Sequence, residues 1–181
     1  MQHFCRYQYP AGDLHYKCYL LHISFNTITI RPATASELKK ITKDISPTCS
    51  LLDFLRDVGC VSVRRGCNTA NCGICTVWVD EQPVLSCSYL AVRANGKHVV
   101  TLEGVKEQAN EFTALLTKQG GEQCGFFMKG FILAVLALKK ELNGKVPTRE
   151  EVNDYLKGNL CRCSGYEVHV RAVLEWLGGE M

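Results

Sequence analysis

Four cysteines constrain this chain more than any other feature. Cys67, Cys72 and Cys75 stand as C-x4-C-x2-C, and Cys87 follows after a further short stretch. That spacing is the plant-type pattern for a [2Fe–2S] cluster. Three thiolates from one short loop have to wrap a cluster while backbone N–H groups turn towards its sulfurs. Such a loop needs residues that tolerate unusual dihedrals, and Gly66, Asn68, Asn71 and Gly73 are placed to supply them. Cys87 is expected at the far end of the hairpin that follows. Structural zinc, the competing metal, usually takes two separated C-x2-C knuckles, whereas here three ligands crowd one loop.

Composition fits a metal site. Eleven cysteines among 181 residues are, in a reducing compartment, better metal ligands than disulfide partners. Isolated Cys5, Cys18, Cys49 and Cys60 suit the role of small buried apolar residues instead. Hydrophobic residues at 46% and charged residues at 22% exclude a disordered or collagen-like chain. The longest strictly apolar run, Phe131 to Leu138, is far short of the roughly 20 residues that cross a bilayer. The opening MQHFCRYQYP lacks the apolar core of a secretory signal, so a cytoplasmic protein is expected. A net charge of +3 with interspersed signs offers no nucleic-acid patch.

Patterning divides the chain in two. Alternation over Leu21–Ile30 predicts a strand, and a polar, lysine-rich stretch follows over Glu37–Asp44. Ser50 then caps an apolar helix ending at Gly59. Thr76–Val79 and Val84–Ser86 predict a strand pair around Asp80-Glu81-Gln82-Pro83, and Val99–Leu102 one more strand. Beyond Gly104 the period becomes helical: Glu111–Lys118, Gly125–Leu142, a helix opened by the Thr148/Glu151 capping box, and one carrying Val170, Val173, Leu174 and Leu177. The expected fold is α+β. Patterning gives a half with a small sheet over 1–104 and an all-helical half over 105–181, four helices packed around Phe131, Leu133, Val135 and Leu138.

The helical half carries a second cysteine group, Cys124 in QCGFF and Cys161 with Cys163 in GNLCRCSGY. With LLDFLRDVG (51–59), GCNTANCGICTVWVD (66–80), PVLSC (83–87), TLEG (101–104), QCGF (123–126) and PTREEV (147–152), these blocks resemble the small iron–sulfur subunit of the molybdenum hydroxylases. That group includes xanthine dehydrogenase, aldehyde oxidoreductases and carbon monoxide dehydrogenase. The resemblance runs from about Leu51 to Leu177 and is weak before residue 50, where 31–49 looks inserted or diverged. It implies a plant-type ferredoxin-like (β-grasp) domain over 1–104, with 1–50 diverged, followed by a four-helix bundle domain over 105–181.

The resemblance implies a second [2Fe–2S] cluster on C-x2-C followed at a distance by C-x-C. Here Phe127 stands where that pattern has a ligand, leaving Cys124, Cys161 and Cys163. A phenyl ring cannot ligate iron, and Met128 beside it is a weak donor. The intact flanking motifs predict a cluster that is still present but labile. The resemblance further implies a hetero-oligomer in which electrons cross this subunit from a molybdopterin-binding large subunit to a medium subunit with FAD, with a purine the first choice of substrate. Gln123 and Cys163 match positions close to the pterin.

No catalytic residue is expected in the chain itself. His3, His15, His22, His98 and His169 are scattered, and there is no GxGxxG or P-loop. The alternative is a zinc- or iron–sulfur-stabilised regulatory or adaptor protein without catalytic partners. Arg64-Arg65 is too short a basic run to serve as a nucleic-acid readout for it.

Overall fold

The computed structural model describes residues 28–31 and 39–179. Cys5, Cys18, His3, His15, His22 and the alternation over 21–27 lie outside that span. Five strands form one mixed sheet: β1 (Ile28–Arg31), β2 (Lys39–Ile41), β3 (Thr76–Val79), β4 (Gln82–Leu85) and β5 (His98–Val100), in the order β2-β1-β5-β3-β4. β1 runs parallel to β5 and every other pair is antiparallel. A parallel pair needs a long crossover. Here it contains helix α1 (Leu51–Asp57) and the β3–β4 hairpin.

Two expectations shift. The lysine-rich stretch, read as merely polar, contains β2, an edge strand of the sheet. The hairpin turn is shorter than the four residues read from sequence. Asp80 (φ 48°) and Glu81 (φ 68°) form it alone, as the twist of two-residue hairpins favours. Gln82 and Pro83 already pair with Val79 and Trp78. Proline is tolerated there because β4 is an edge.

α1 starts where its cap predicts: the Ser50 hydroxyl accepts from the Asp53 N–H at 3.1 Å. Helices α2 (Lys106–Lys118), α3 (Met128–Leu142), α4 (Arg149–Leu156) and α5 (Glu167–Leu177) follow. α2 begins earlier than the expected Glu111 because its first turn is polar and carries no apolar period. α3 begins later than Gly125, which takes a left-handed φ of 64° in the loop before it. α3 is the centre of the molecule, contacting α2, α4, β3 and β4, while α5 contacts α2 and α4. From Gly130 to Leu138 it is buried all round, as expected of a helix enclosed by others.

The sheet lies between two apolar layers. Val77, Val79 and Val99 pack with Leu51, Leu52, Phe54 and Leu55 on one side. Trp78 and Val100, the alternate positions, join Phe131, Leu133, Val135 and Leu138 on the other. The Trp78 Nε1–H donates to the Leu133 carbonyl at 3.0 Å. A short 3₁₀ turn over Leu102–Val105 leads directly into α2.

Candidate metal centres

The loop between α1 and β3 carries Cys67, Cys72 and Cys75, and Cys87 follows β4. Cys72 and Cys75 are buried, while Cys67 and Cys87 are half-buried. The thiols meet in pairs: Cys67 hydrogen-bonds Cys72, and Cys87 hydrogen-bonds Cys75. Among the described residues, no three cysteine, histidine or acidic side chains close around a single metal ion. Pairs are what a two-iron cluster takes, two thiolates to each tetrahedral iron.

Backbone amides do turn inward. The N–H groups of Asn71, Thr69 and Cys72, with the Cys72 thiol, lower Cys67 to about 6, so its thiolate is the favoured form at neutral pH. Burial raises Cys72. Burial first, then the hydrogen bond to Cys75, pushes Cys87 up to about 12. A bound cation reverses such shifts, because ligation deprotonates thiols. The donor chemistry and the amide cradle fit a [2Fe–2S] cluster.

The glycine reading of this loop needs correction. Only Gly73 (φ 71°) among the four named residues takes the left-handed region, and Ala70 (φ 54°) joins it. Gly66 matters for space instead: a Cβ there would lie 2.2 Å from Ile74 Cδ1, which would have to move, and 3.1 Å from Cys72 Sγ. Hydrogen bonds then fix the ligand backbone. The Ser86 hydroxyl donates to the Cys75 carbonyl at 2.7 Å, the Thr76 hydroxyl to Gly73 O at 2.7 Å, and the Leu160 N–H to Cys72 O at 2.9 Å. Sequence reasoning passed over these hydroxyls, and it passed over Arg65. Arg65 pairs with Asp53 at 2.8 Å, and its charge is felt at Cys87 and Cys75.

Cys124, Cys161 and Cys163 converge at the ends of α3 and α5. The Cys163 thiol donates to Cys124 Sγ at 3.4 Å. The Cys163 N–H and the Ser164 hydroxyl each donate to Cys161 Sγ at 3.4 Å. The Phe126 N–H and the Cys163 thiol lower Cys124. Burial pushes Cys161 up, but Ser164 and the Cys163 N–H outweigh it. Tyr166, in the left-handed region at φ 71°, closes the loop: its hydroxyl accepts from Cys161 N at 2.7 Å and donates to Cys161 O at 2.9 Å.

Phe127 is not at the surface of this site. It is 6% exposed, with ring centroids 5.2 Å from Phe131 and 5.0 Å from His169, the latter edge-on. Three thiols alone do not complete a four-ligand cluster. His169 is a core residue, and neither ring nitrogen has a hydrogen-bond partner. Burial lowers its pKa, opposed only in part by the Gly121 backbone. Gln123 is exposed beside Cys124, and the Arg64 guanidinium lies 5.3 Å over the exposed Phe126 ring.

Residues 36–102 match the family model described as a 2Fe-2S iron-sulfur cluster binding domain, and residues 101–174 match a [2Fe-2S] binding domain. The chain is 40% identical over 131 residues to the xanthine dehydrogenase iron-sulfur-binding subunit of Escherichia coli O157:H7, covering 71% of this chain and 82% of that one. It is 39% identical over 144 residues to the nicotinate dehydrogenase small FeS subunit of Eubacterium barkeri, covering 78% and 89%. Among solved structures it is similar to quinoline 2-oxidoreductase from Pseudomonas putida 86, with a TM-score of 0.70, 30% identity, and coverage of 85% of this chain and 93% of that one.

Proposed function

The chain belongs to the small [2Fe–2S] subunits of the molybdenum hydroxylases, and from that premise we propose which residues hold its clusters and which partners it serves. It is an electron-transfer component of an oxidoreductase complex. In our reading Cys67 and Cys72 hold one iron of the first cluster, and Cys75 and Cys87 hold the other. The pairwise meeting of these thiols beneath inward amides carries the assignment. A bound [2Fe–2S] cluster supplies one-electron oxidation and reduction, tuned by burial and by hydrogen bonds to sulfur.

The chain's own residues supply that tuning. Amides of Thr69, Asn71 and Cys72 favour anionic sulfur, and the burial of Cys72 and Cys75 keeps water away. The Leu160 N–H bonded to Cys72 O ties this loop to the residue preceding Cys161. Cys124, Cys161 and Cys163 hold a second, less stable cluster. The four helices act as a bundle on the molybdenum side, and the sheet with its loop lies on the flavin side, keeping 1–104 and 105–181 as two domains that share a seam.

The partners in this reading are a large molybdopterin-binding chain and a medium FAD-binding chain. Gln123 and Cys163, both exposed, lie towards the pterin. The relatives' names carry xanthine, nicotinate and quinoline, all nitrogen heterocycles, and a purine is our first choice of substrate. A cytoplasmic, reducing location suits the seven ligand cysteines, all free thiols.

Iron and acid-labile sulfide per chain, with EPR of the reduced complex, test the assignment. Cys72→Ser should remove or distort the first signal. Zinc without visible absorption, or unchanged iron and EPR in that variant, would reject it and favour the adaptor alternative.

A further inference from the structure

The second site has a place to fill and an unexplained side chain beside it. Cys124 and Cys163 face each other at 3.4 Å, close enough for both to reach one iron with a small opening of the pair. Cys161 then stands alone for the other iron, and the residue that should pair with it is Phe127. Against the Phe127 ring, edge-on at 5.0 Å, lies the imidazole of His169. That residue is 1% exposed, and both ring nitrogens lack a hydrogen-bond partner. Buried polar groups are almost always satisfied, so an orphaned imidazole calls for a reason.

We propose that His169 is the fourth ligand of the second cluster, giving one iron held by Cys124 and Cys163 and the other by Cys161 and His169. The inference rests on the reading above that a cluster occupies this site. Imidazole is a competent donor here, since [2Fe–2S] centres exist in which histidine replaces cysteine on one iron. A ligating histidine usually gives its other N–H to a backbone carbonyl. The Gly121 backbone lies close enough to the ring to raise the His169 pKa, short of a hydrogen bond of normal geometry, and it is the acceptor we assign. His169 lies in the first turn of α5, directly after the loop that carries Cys161 and Cys163. Ligation requires the Phe127 ring to turn aside. It is the N-cap residue of α3, makes no side-chain capping bond, and adjoins Phe126, which is already exposed. A nitrogen donor in place of an anionic thiolate raises the potential of such a centre, so the second cluster should be reduced before the first.

The test uses the full chain in its complex, purified without oxygen and grown with ¹⁵N-histidine. Pulsed EPR of the partly reduced protein reads nitrogen directly bound to iron. We expect about four irons per chain and one strong histidine nitrogen coupling on the more readily reduced signal. His169→Leu should abolish that coupling and leave the first signal unchanged. Adding Phe127→Cys to His169→Leu should restore a second signal without nitrogen. Four irons with no histidine coupling in the labelled parent chain would overturn the proposal, as would a coupling that survives His169→Leu. Two irons with only the first signal would also overturn it, while leaving the first-site assignment standing. Absence of any cluster signal would reject both.

Discussion

Gly130 acts by having no side chain. A Cβ on it would fall 2.1 Å from Gly73 O and 2.7 Å from Ile74 O, so α3 can lie against the first cysteine loop only as it stands. Gly130→Ala should therefore cost about 1–3 kcal/mol by overpacking, read as a melting temperature lower by roughly 3–10 °C. Glu103 acts through its carboxylate, which accepts from the Ser62 N–H at 2.9 Å, the Thr101 hydroxyl at 2.6 Å and the Ser62 hydroxyl. Burial pushes its pKa up, but these donors outweigh that and hold it below the usual value. Its contribution is thus present above the unfolded value near 4.3 and is lost as pH falls through the folded one. Glu103→Gln should flatten the fall in melting temperature between about pH 5 and pH 3. An acid limb as steep as the parent's would contradict this. Arg65→Gln, by removing a positive charge that Cys87 and Cys75 feel, should shift the first cluster's potential negative by about 10–40 mV, the one-electron equivalent of an exposed charge interaction of 0.2–1 kcal/mol. Spectroelectrochemical titration would show it. At this scale the grouping of the first four cysteines was legible because their spacing encodes it, and the structure brings Cys67 to Cys72 and Cys75 to Cys87. Gly130, Ser86 and His169 were not, since what matters about each is a neighbour distant in sequence.

At the scale of elements, legibility followed local chemistry. α1 and α4 could be read because their caps lie within the segments themselves. In α4 the Thr148 hydroxyl accepts from the Glu151 N–H while the Glu151 side chain accepts from the Thr148 N–H. Thr148→Ala should cost about 1 kcal/mol and lower the melting temperature by roughly 2–4 °C, with the EPR signals unchanged. The start of α2 and the whole of β2 carried no such signature. β2 is a strand only because β1 lies beside it, with Thr29 opposite Lys40, and no window of sequence contains that partner. β4 began earlier than read because Pro83 argues for a turn locally and is accepted only on an edge strand.

Across the whole molecule, the change from alternation to helical period marked where the architecture changes, but not how the two parts meet. They meet through β3, whose Trp78 joins the helical core while Val77 and Val79 join the other. Ile74 and Val100 also pack with the helices. Because these residues serve both sides, heating should produce one cooperative transition followed alike by sheet and helix signals. Two resolved transitions in calorimetry would contradict that coupling. The seam also bears on the first cysteine loop. With Gly158 O 2.5 Å and Asn159 Oδ1 2.8 Å from the position of a Gly73 Cβ, and the Leu160 N–H bonded to Cys72 O, the docked helices form a wall of the first cysteine loop. Anything that loosens the docking of the helices should therefore loosen the first cysteine loop as well, because one surface serves both.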